Sequence, residues 1–165
     1  QTEQGQLDVS LALEAPRIMG DASQLRQVIH NLVQNALDAV QDQTDGRVWV
    51  KTELVLNEAG EFQALRLKVL DNGPGFSEKV LMRAFEPYVT TKQKGTGLGL
   101  AVVKKIAEEH GAKVRLTNLI PTGFDSDVEN AQERGKIAGA QVSLSFSKLA
   151  ILTAAVVAEM PNSEA

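Results

Sequence analysis

From Leu25 to Val40 apolar residues return at intervals of three and four: Leu25, Val28, Ile29, Leu32, Val33, Ala36, Leu37 and Val40. That period draws one stripe along an α-helix, whereas a strand would alternate between its two faces. Asp21 stands just ahead as an N-cap, with Gln24 three residues on as in a capping box. A helix with one apolar stripe must bury it against another layer, and strands supply that layer. Leu7 to Leu13 alternate loosely. Val48, Val50, Thr52 and Leu54 alternate more regularly, as do Leu65, Leu67 and Val69, and Asn57 to Gly60 reads as the turn of a hairpin between them. Ser77 caps a short helix ending near Phe85. A second long helix, Leu98 to His110, is closed by Gly111. Val114 to Leu116 and Val142 to Phe146 are further strands. The grouping predicts a two-layer α/β sandwich.

A chain of 165 residues, 43% of them apolar, suits one domain with one core. Its net charge of −4 argues against a nucleic-acid surface. The absence of cysteine excludes thiolate metal sites, disulfides and thiol catalysis, and two histidines, His30 and His110, are too few for a multi-histidine metal site. Both histidines read as structural: His30 as a partly buried residue on the first helix, His110 as a cation suited to a helix C-terminus. The longest apolar stretch, Leu149 to Ala158, is too short for a membrane span, and the opening QTEQGQLDV lacks the pattern of a signal peptide. The chain starts without methionine and in mid-pattern, which reads as a piece of a larger protein. Pro121 to Gly139 is polar and irregular, an insertion or loop, and residues 149–165 form a tail, helical or disordered.

Three segments carry chemistry: HNLVQNALDAV on the first helix, LDNGPGF after the hairpin and KGTGLGLAVV at the last long helix. Asn31 and Asn35, four apart, stack on one helix face at the border of the apolar stripe. Either they are solvated polar residues, or an amide oxygen there takes a hard cation such as Mg²⁺, which keeps most of its waters. Asp71 shares the parity of Leu65, Leu67 and Val69, so its carboxylate points to the buried side and needs a partner. The exocyclic amine of a purine would serve, with Gly73 and Gly75 letting the backbone approach a flat ring. A plain Asn72-Gly73 turn is the other reading. Gly95, Gly97 and Gly99 lead into a helix whose N-terminus favours an anion, triphosphate above all, with Lys92 and Lys94 just upstream to neutralise charge. The spacing is that of neither a dinucleotide fingerprint nor a P-loop. The alternative is a hinge loop before a helix.

Taken together and in this order, the segments resemble the N, G1 and G2 boxes of the GHKL superfamily of ATP-binding proteins. These include histidine kinases, type II topoisomerase and mismatch-repair ATPases, and Hsp90 chaperones. FEPYVTTK, Phe85 to Lys92, resembles the F box of histidine kinases, and FEPYVTTKQKGTGLGLAVVKKIAEEHG is similar to nitrogen-regulation sensor kinases. The resemblance implies the Bergerat fold, a mixed, mostly antiparallel sheet packed on helices, over residues 1–148. It implies that Asn35 holds Mg²⁺, that Asp71 recognises adenine above a floor shaped by Gly73 and Gly75, and that Gly95, Thr96, Gly97, Leu98, Gly99 and Leu100 wrap the phosphates of ATP. Residues 86–97 would be the ATP lid and 121–139 an insertion. Mismatch-repair and topoisomerase ATPases carry glutamate as general base where this chain has Asn31. An amide has no useful basicity, so the γ-phosphate would be kept for a protein acceptor, with Asn31 placed to orient the acceptor histidine. Some members carry a lysine where Asp38 stands here, which shifts phosphate contact onto Lys92 and Lys94. The resemblance therefore implies a histidine kinase catalytic domain. Its partners would be a separate dimerisation and phosphoacceptor domain and a downstream response regulator. As an isolated domain it would be a monomer, on the cytoplasmic side of a membrane-anchored sensor. An ATPase switch and a non-catalytic nucleotide-binding module are the other readings.

Overall fold

A computed structural model describes residues 6–86, 99–120 and 137–147. Helix α1 runs from Ala22 to Val40, and its first turn is closed as the sequence predicts, with Gln24 N–H donating to Asp21 Oδ1 at 3.0 Å. The reciprocal half of a capping box is absent. The Gln24 side chain instead reaches Glu109 Oε2 at 3.3 Å, and the Asp21 N–H donates to His110 Nε2 at 2.9 Å. Val28, Leu32, Ala36 and Val40 form the buried ridge of α1, one residue per turn and a little more. Ile29, assigned to that stripe from its spacing, is 40% exposed, because the sheet covers a narrower band than the sequence marks as apolar. His30 is exposed rather than partly buried, since it stands on the far side of the helix from that ridge.

The strands are β1 (Leu7–Ser10), β2 (Val48–Leu56), β3 (Phe62–Asp71), β4 (Ala112–Leu119) and β5 (Gly139–Phe146), in the order β1-β2-β3-β5-β4. β1 runs parallel to β2 and every other pairing is antiparallel, which is the mixed, mostly antiparallel sheet expected. β1 stops at Ser10, short of the expected Leu13, and Leu13 is fully exposed. The β2–β3 hairpin turns through Asn57, whose Oδ1 accepts from the N–H groups of Ala59 and Glu61 at 3.0 and 2.9 Å, the local bonding that makes asparagine a turn residue. Gly139, placed at the end of an irregular insertion by its composition, is the first residue of β5. The rest of that insertion up to residue 136 lies outside the described residues, as do the tail from 148 and residues 87–98.

The helices α1 and α3 (Gly99–Glu109) lie side by side on one face of the sheet. Their apolar residues meet Val48, Val50, Val69, Val142, Leu144 and Phe146 in one core. Leu32 and Leu144 are almost fully enclosed, so cutting either back to alanine costs about 2–5 kcal/mol. A short helix α2 (Glu78–Arg83) follows β3, capped by Ser77 Oγ, which accepts from Val80 N–H at 3.3 Å. Glu86, the first residue of the expected lid, closes the turn after α2 through an ion pair with Arg83 at 2.6 Å.

His110 does more than end its helix. Its Nδ1 faces the Ile106 carbonyl at 2.7 Å, and the Asp21 N–H donates to its Nε2 at 2.9 Å. It clasps the start of α1 to the end of α3, and the two helices run antiparallel.

Candidate functional site

Antiparallel packing brings the second half of α1 beside the start of α3 and the end of β3. Asp71 is the last residue of β3, paired with Val48 on one side and Ala140 on the other, and is only 6% exposed. Its parity puts it on the helix side of the sheet, as the sequence predicts. Burial pushes its carboxyl above the ordinary range, while backbone hydrogen bonds from Gly73 and Ala140 pull the other way. The Gly73 N–H donates to Asp71 Oδ1 at 2.9 Å.

Loop 72–77 is fastened at both ends by asparagines. Asn72 Oδ1 accepts from Arg47 N–H at 2.6 Å and its Nδ2 donates to the Asp45 carbonyl at 2.9 Å. Gln43 Nε2 adds a bond to the Asn72 carbonyl at 3.1 Å. Asn72-Gly73 is therefore more than a plain turn: it ties the loop to the chain leaving α1. At the far end Asn118 Oδ1 accepts from Phe76 N–H at 2.7 Å and its Nδ2 donates to the Phe76 carbonyl at 2.9 Å. Between these anchors the chain passes its neighbours too closely for side chains. A methyl group on Gly73 would stand 3.0 Å from the Ala39 carbonyl oxygen, and one on Gly75, at φ 80°, would stand 2.8 Å from Asn118 Oδ1 and also meet Ile137. Gly139 at φ 154° is tighter still, because a methyl there would overlap the Asp71 carbonyl. Gly139 thus lets β5 lie against the residue that carries the carboxylate.

On α1, Asn31 and Asn35 are both half-buried, one turn apart. Asn35 faces the first residue of α3: a methyl on Gly99 would lie 3.7 Å from its Nδ2 and 3.9 Å from its Oδ1. No acidic residue stands in the first turn of α3, so its amide groups face the cleft without a competing anion. Leu100 packs partly against the core, which leaves its backbone for any ligand contact. Lys92, Lys94, Gly95, Thr96, Gly97 and Leu98 lie outside the described residues. The described residues thus place Gly99 beside Asn35, Gly73 beside Asp71 and Ala39, and Gly75 beside Asn118 and Gly139.

Sequence reasoning missed Asn118, Asn72 as a brace, and Gly139. The signal that found Asp71 was available for Asn118. Asn118 shares the parity of Ala112, Val114 and Leu116 and sits in the same cross-strand row as Asp71, with Ala140 between them. A polar side chain on the buried parity at a strand end marks both.

Fold and cleft together define a two-layer α/β domain of the GHKL class. The chain belongs to the histidine kinase-, DNA gyrase B- and HSP90-like ATPase family, whose model matches residues 20–148. Among curated relatives it is 36% identical over 133 residues to the sensory histidine kinase/phosphatase NtrB of Rhizobium leguminosarum bv. phaseoli, covering 70% of this chain and 35% of that protein. It is 37% identical over 111 residues to a putative sensor histidine kinase, NtrY-like, of Rickettsia typhi, covering 67% of this chain and 18% of that protein. The chain therefore spans about a third or less of these relatives. Among solved structures, the catalytic domain of the histidine kinase ThkA in a nucleotide-free form matches with a TM-score of 0.63 and 26% identity, over 87% of this chain and 78% of that one. The mycobacterial sensor histidine kinase MprB shares the fold with a TM-score of 0.66 at 23% identity, over 88% of this chain and 85% of that one.

Proposed function

We infer that this chain is the ATP-binding catalytic domain of a sensor histidine kinase, which passes the γ-phosphate of ATP to a histidine on a separate dimerisation and phosphoacceptor domain. The observation that supports this reading is a buried carboxylate, Asp71, at the end of β3 on the helix side of the sheet, together with an amide, Asn35, facing the first residue of α3. The residues present fit a nucleotide with its Mg²⁺. Asp71 offers an acceptor to the adenine amine, and Gly73 and Gly75, by letting the loop pass close to Ala39 and Asn118, shape the floor under the base. The α3 amides from Gly99 and Leu100, with Gly95, Thr96, Gly97 and Leu98 before them, take the phosphates. Asn35 would hold Mg²⁺ through its amide oxygen, with waters and phosphate oxygens completing the shell. Bound there, the ion would supply charge neutralisation on the phosphates.

Phosphoryl transfer asks the protein for alignment and charge more than for covalent chemistry. Lys92 and Lys94 add positive charge to the phosphate end. Asn31, one turn before Asn35, orients the acceptor imidazole and, lacking basicity, does not activate water. The bond from the γ-phosphorus to the ADP oxygen breaks as a bond to the imidazole nitrogen forms. Residues 1–148 make up this domain, with 86–97 as its lid and an insertion from 121 that ends where β5 begins at Gly139. Residues 149–165 form a tail. None of the described helices is long and apolar enough to cross a membrane. The reading places the domain on the cytoplasmic side of a membrane-anchored sensor, upstream of a response regulator, and monomeric when isolated.

The test mixes this chain with a separately made phosphoacceptor domain and γ-labelled ATP. Acid-labile label on the acceptor, lost with Asp71→Ala, is the expected result, and Lys92→Ala or Lys94→Ala should weaken nucleotide binding by calorimetry. No magnesium-dependent affinity for adenine nucleotides would overturn the reading.

A further inference from the structure

The face of the sheet turned away from α1 and α3 has a chemistry of its own. Leu67, Val69, Val114, Leu116, Val142 and Leu144 point into the core. Strand alternation therefore sends Arg66, Lys68, Lys113, Arg115, Ser143 and Ser145 out of the opposite face. Register aligns them in two rows, Arg66–Ser145–Lys113 and Lys68–Ser143–Arg115. With neighbouring strands about 4.8 Å apart and alternate residues about 7 Å apart, the four cations mark a rectangle of about 10 Å by about 7 Å with two hydroxyls inside it. All six residues line one hollow of about 650 Å³, whose rim also carries Phe85 and the α3 pair Lys104 and Glu108, 3.8 Å apart. Ser143 is 7% exposed and lies at the floor, and Ser145 Oγ accepts from Arg66 Nε at 3.4 Å.

Among the described residues the charges are unbalanced on the β4 side. Glu53 of β2 engages Lys68 at 2.7 Å and Arg66 at 3.1 Å, and these bonds, that to Lys68 foremost, hold its carboxyl below the ordinary range. Among the described residues no carboxylate comes within ion-pair distance of Lys113 or Arg115. On a chain whose net charge is −4, this is a segregated basic face. Two like charges on the same side of one strand repel, and a bound anion removes that cost. Arginine forks and serine hydroxyls are the donors that phosphate oxygens accept from. Phe85 is the one aromatic residue lining the hollow among the described residues, and its ring already lies against the Lys104 ammonium at 5.4 Å, which leaves little apolar surface around which a protein interface would build its core.

We propose that this face is a binding site for a compound carrying several phosphate groups. Its corners, Arg66, Lys68, Lys113 and Arg115, neutralise the ligand, and Ser143 and Ser145 donate to its oxygens. The same chemistry is offered by a free oligophosphate and by clustered phospholipid headgroups. The site lies on the opposite face of the sheet from Asp71, so it does not rest on the nucleotide reading.

The test titrates tripolyphosphate into the isotopically labelled chain with Mg-ADP present, and follows backbone amide shifts. Shifts at Lys113, Arg115, Ser143 and Ser145 are expected, with affinity falling as salt rises. Lys113→Ala/Arg115→Ala, two exposed positions, should weaken binding at least about tenfold while the circular dichroism spectrum is kept. Co-sedimentation with vesicles containing phosphatidic acid, lost in the same double variant, with no response to tripolyphosphate, would support the site and assign the lipid source. The inference is overturned if neither probe binds, if the double variant binds as well as the parent, or if shifts are confined to the α1–α3 cleft. Tighter binding of a hexaglutamate peptide than of tripolyphosphate would also overturn it, in favour of an acidic protein partner.

Discussion

Gly73 donates its backbone N–H to Oδ1 of Asp71 at 2.9 Å, so the carboxylate that closes strand β3 also sets the first bend of the loop that follows it. One side chain thereby shapes the loop, and in the proposed function it also recognises the base.

Burial raises the pKa of Asp71 in the folded chain, against the pull of the Gly73 and Ala140 bonds. The folded state consequently holds this proton more tightly than the unfolded one. The contribution of Asp71 to stability is greatest below its unfolded value and declines as pH rises through the raised folded value. Asp71→Asn removes that dependence. Urea denaturation from about pH 4 to about pH 7 should show the variant gaining on the parent as pH rises. Nucleotide affinity should behave in the opposite sense. It weakens in the parent as pH falls through the same window, and Asp71→Ala weakens it about ten- to a hundredfold at neutral pH, the worth of a hydrogen bond to a charged group.

Gly139→Ala should destabilise the chain severely. The new methyl would overlap the Asp71 carbonyl and would also impose a φ that L-residues rarely adopt. Backbone strain of this kind costs about 1–3 kcal/mol, and displacing the β3–β5 contact adds to it. Thermal denaturation measures the loss, and amide shifts should place the disturbance at the end of β3.

Asn118 holds both main-chain groups of Phe76, so Asn118→Leu leaves a donor and an acceptor without partners. A cost of about 1–3 kcal/mol is expected for the unpaired groups. Calorimetry should register a fall in nucleotide affinity even at temperatures where the variant is fully folded, because the loop carrying Gly73 and Gly75 loses its far anchor. An unchanged affinity would restrict Asn118 to a stability role.

His110 and the Asp21 side chain cap the same helix start through different atoms: the imidazole takes the Asp21 N–H, and the Asp21 carboxylate takes the Gln24 N–H. His110→Ala is expected to cost about 0.5–1.5 kcal/mol and Asp21→Ala about 1 kcal/mol. Because the two residues touch and fix the same helix start, a double-mutant cycle by denaturant melts should show a coupling energy of about 0.5 kcal/mol or more.

The elements of the fold were legible because each announces itself locally. The three-and-four repeat of α1, the alternation of β2 and β3, the caps Asp21 and Ser77 and the turn at Asn57 all depend on residues within one or two turns of chain. Asp71 was legible for the same reason, since parity along a single strand predicts its burial. Ile29 and His30 were misjudged because the width of the stripe that a sheet covers is set by the sheet, not by the helix. The bond from Asp21 N–H to His110 Nε2 was not legible, because only the folded chain brings the two residues together. The brace from Asn118, the contact of Gly139 with Asp71 and the approach of Asn35 to Gly99 join residues between 42 and 68 positions apart, and no local pattern encodes such pairs. What the sequence determined by itself is which residues prefer which local geometry and which way each side chain points from its own backbone. What only the tertiary structure decided is which of those side chains meet, because the order β3-β5-β4 and the antiparallel seating of α3 on α1 follow from burying all the apolar faces at once.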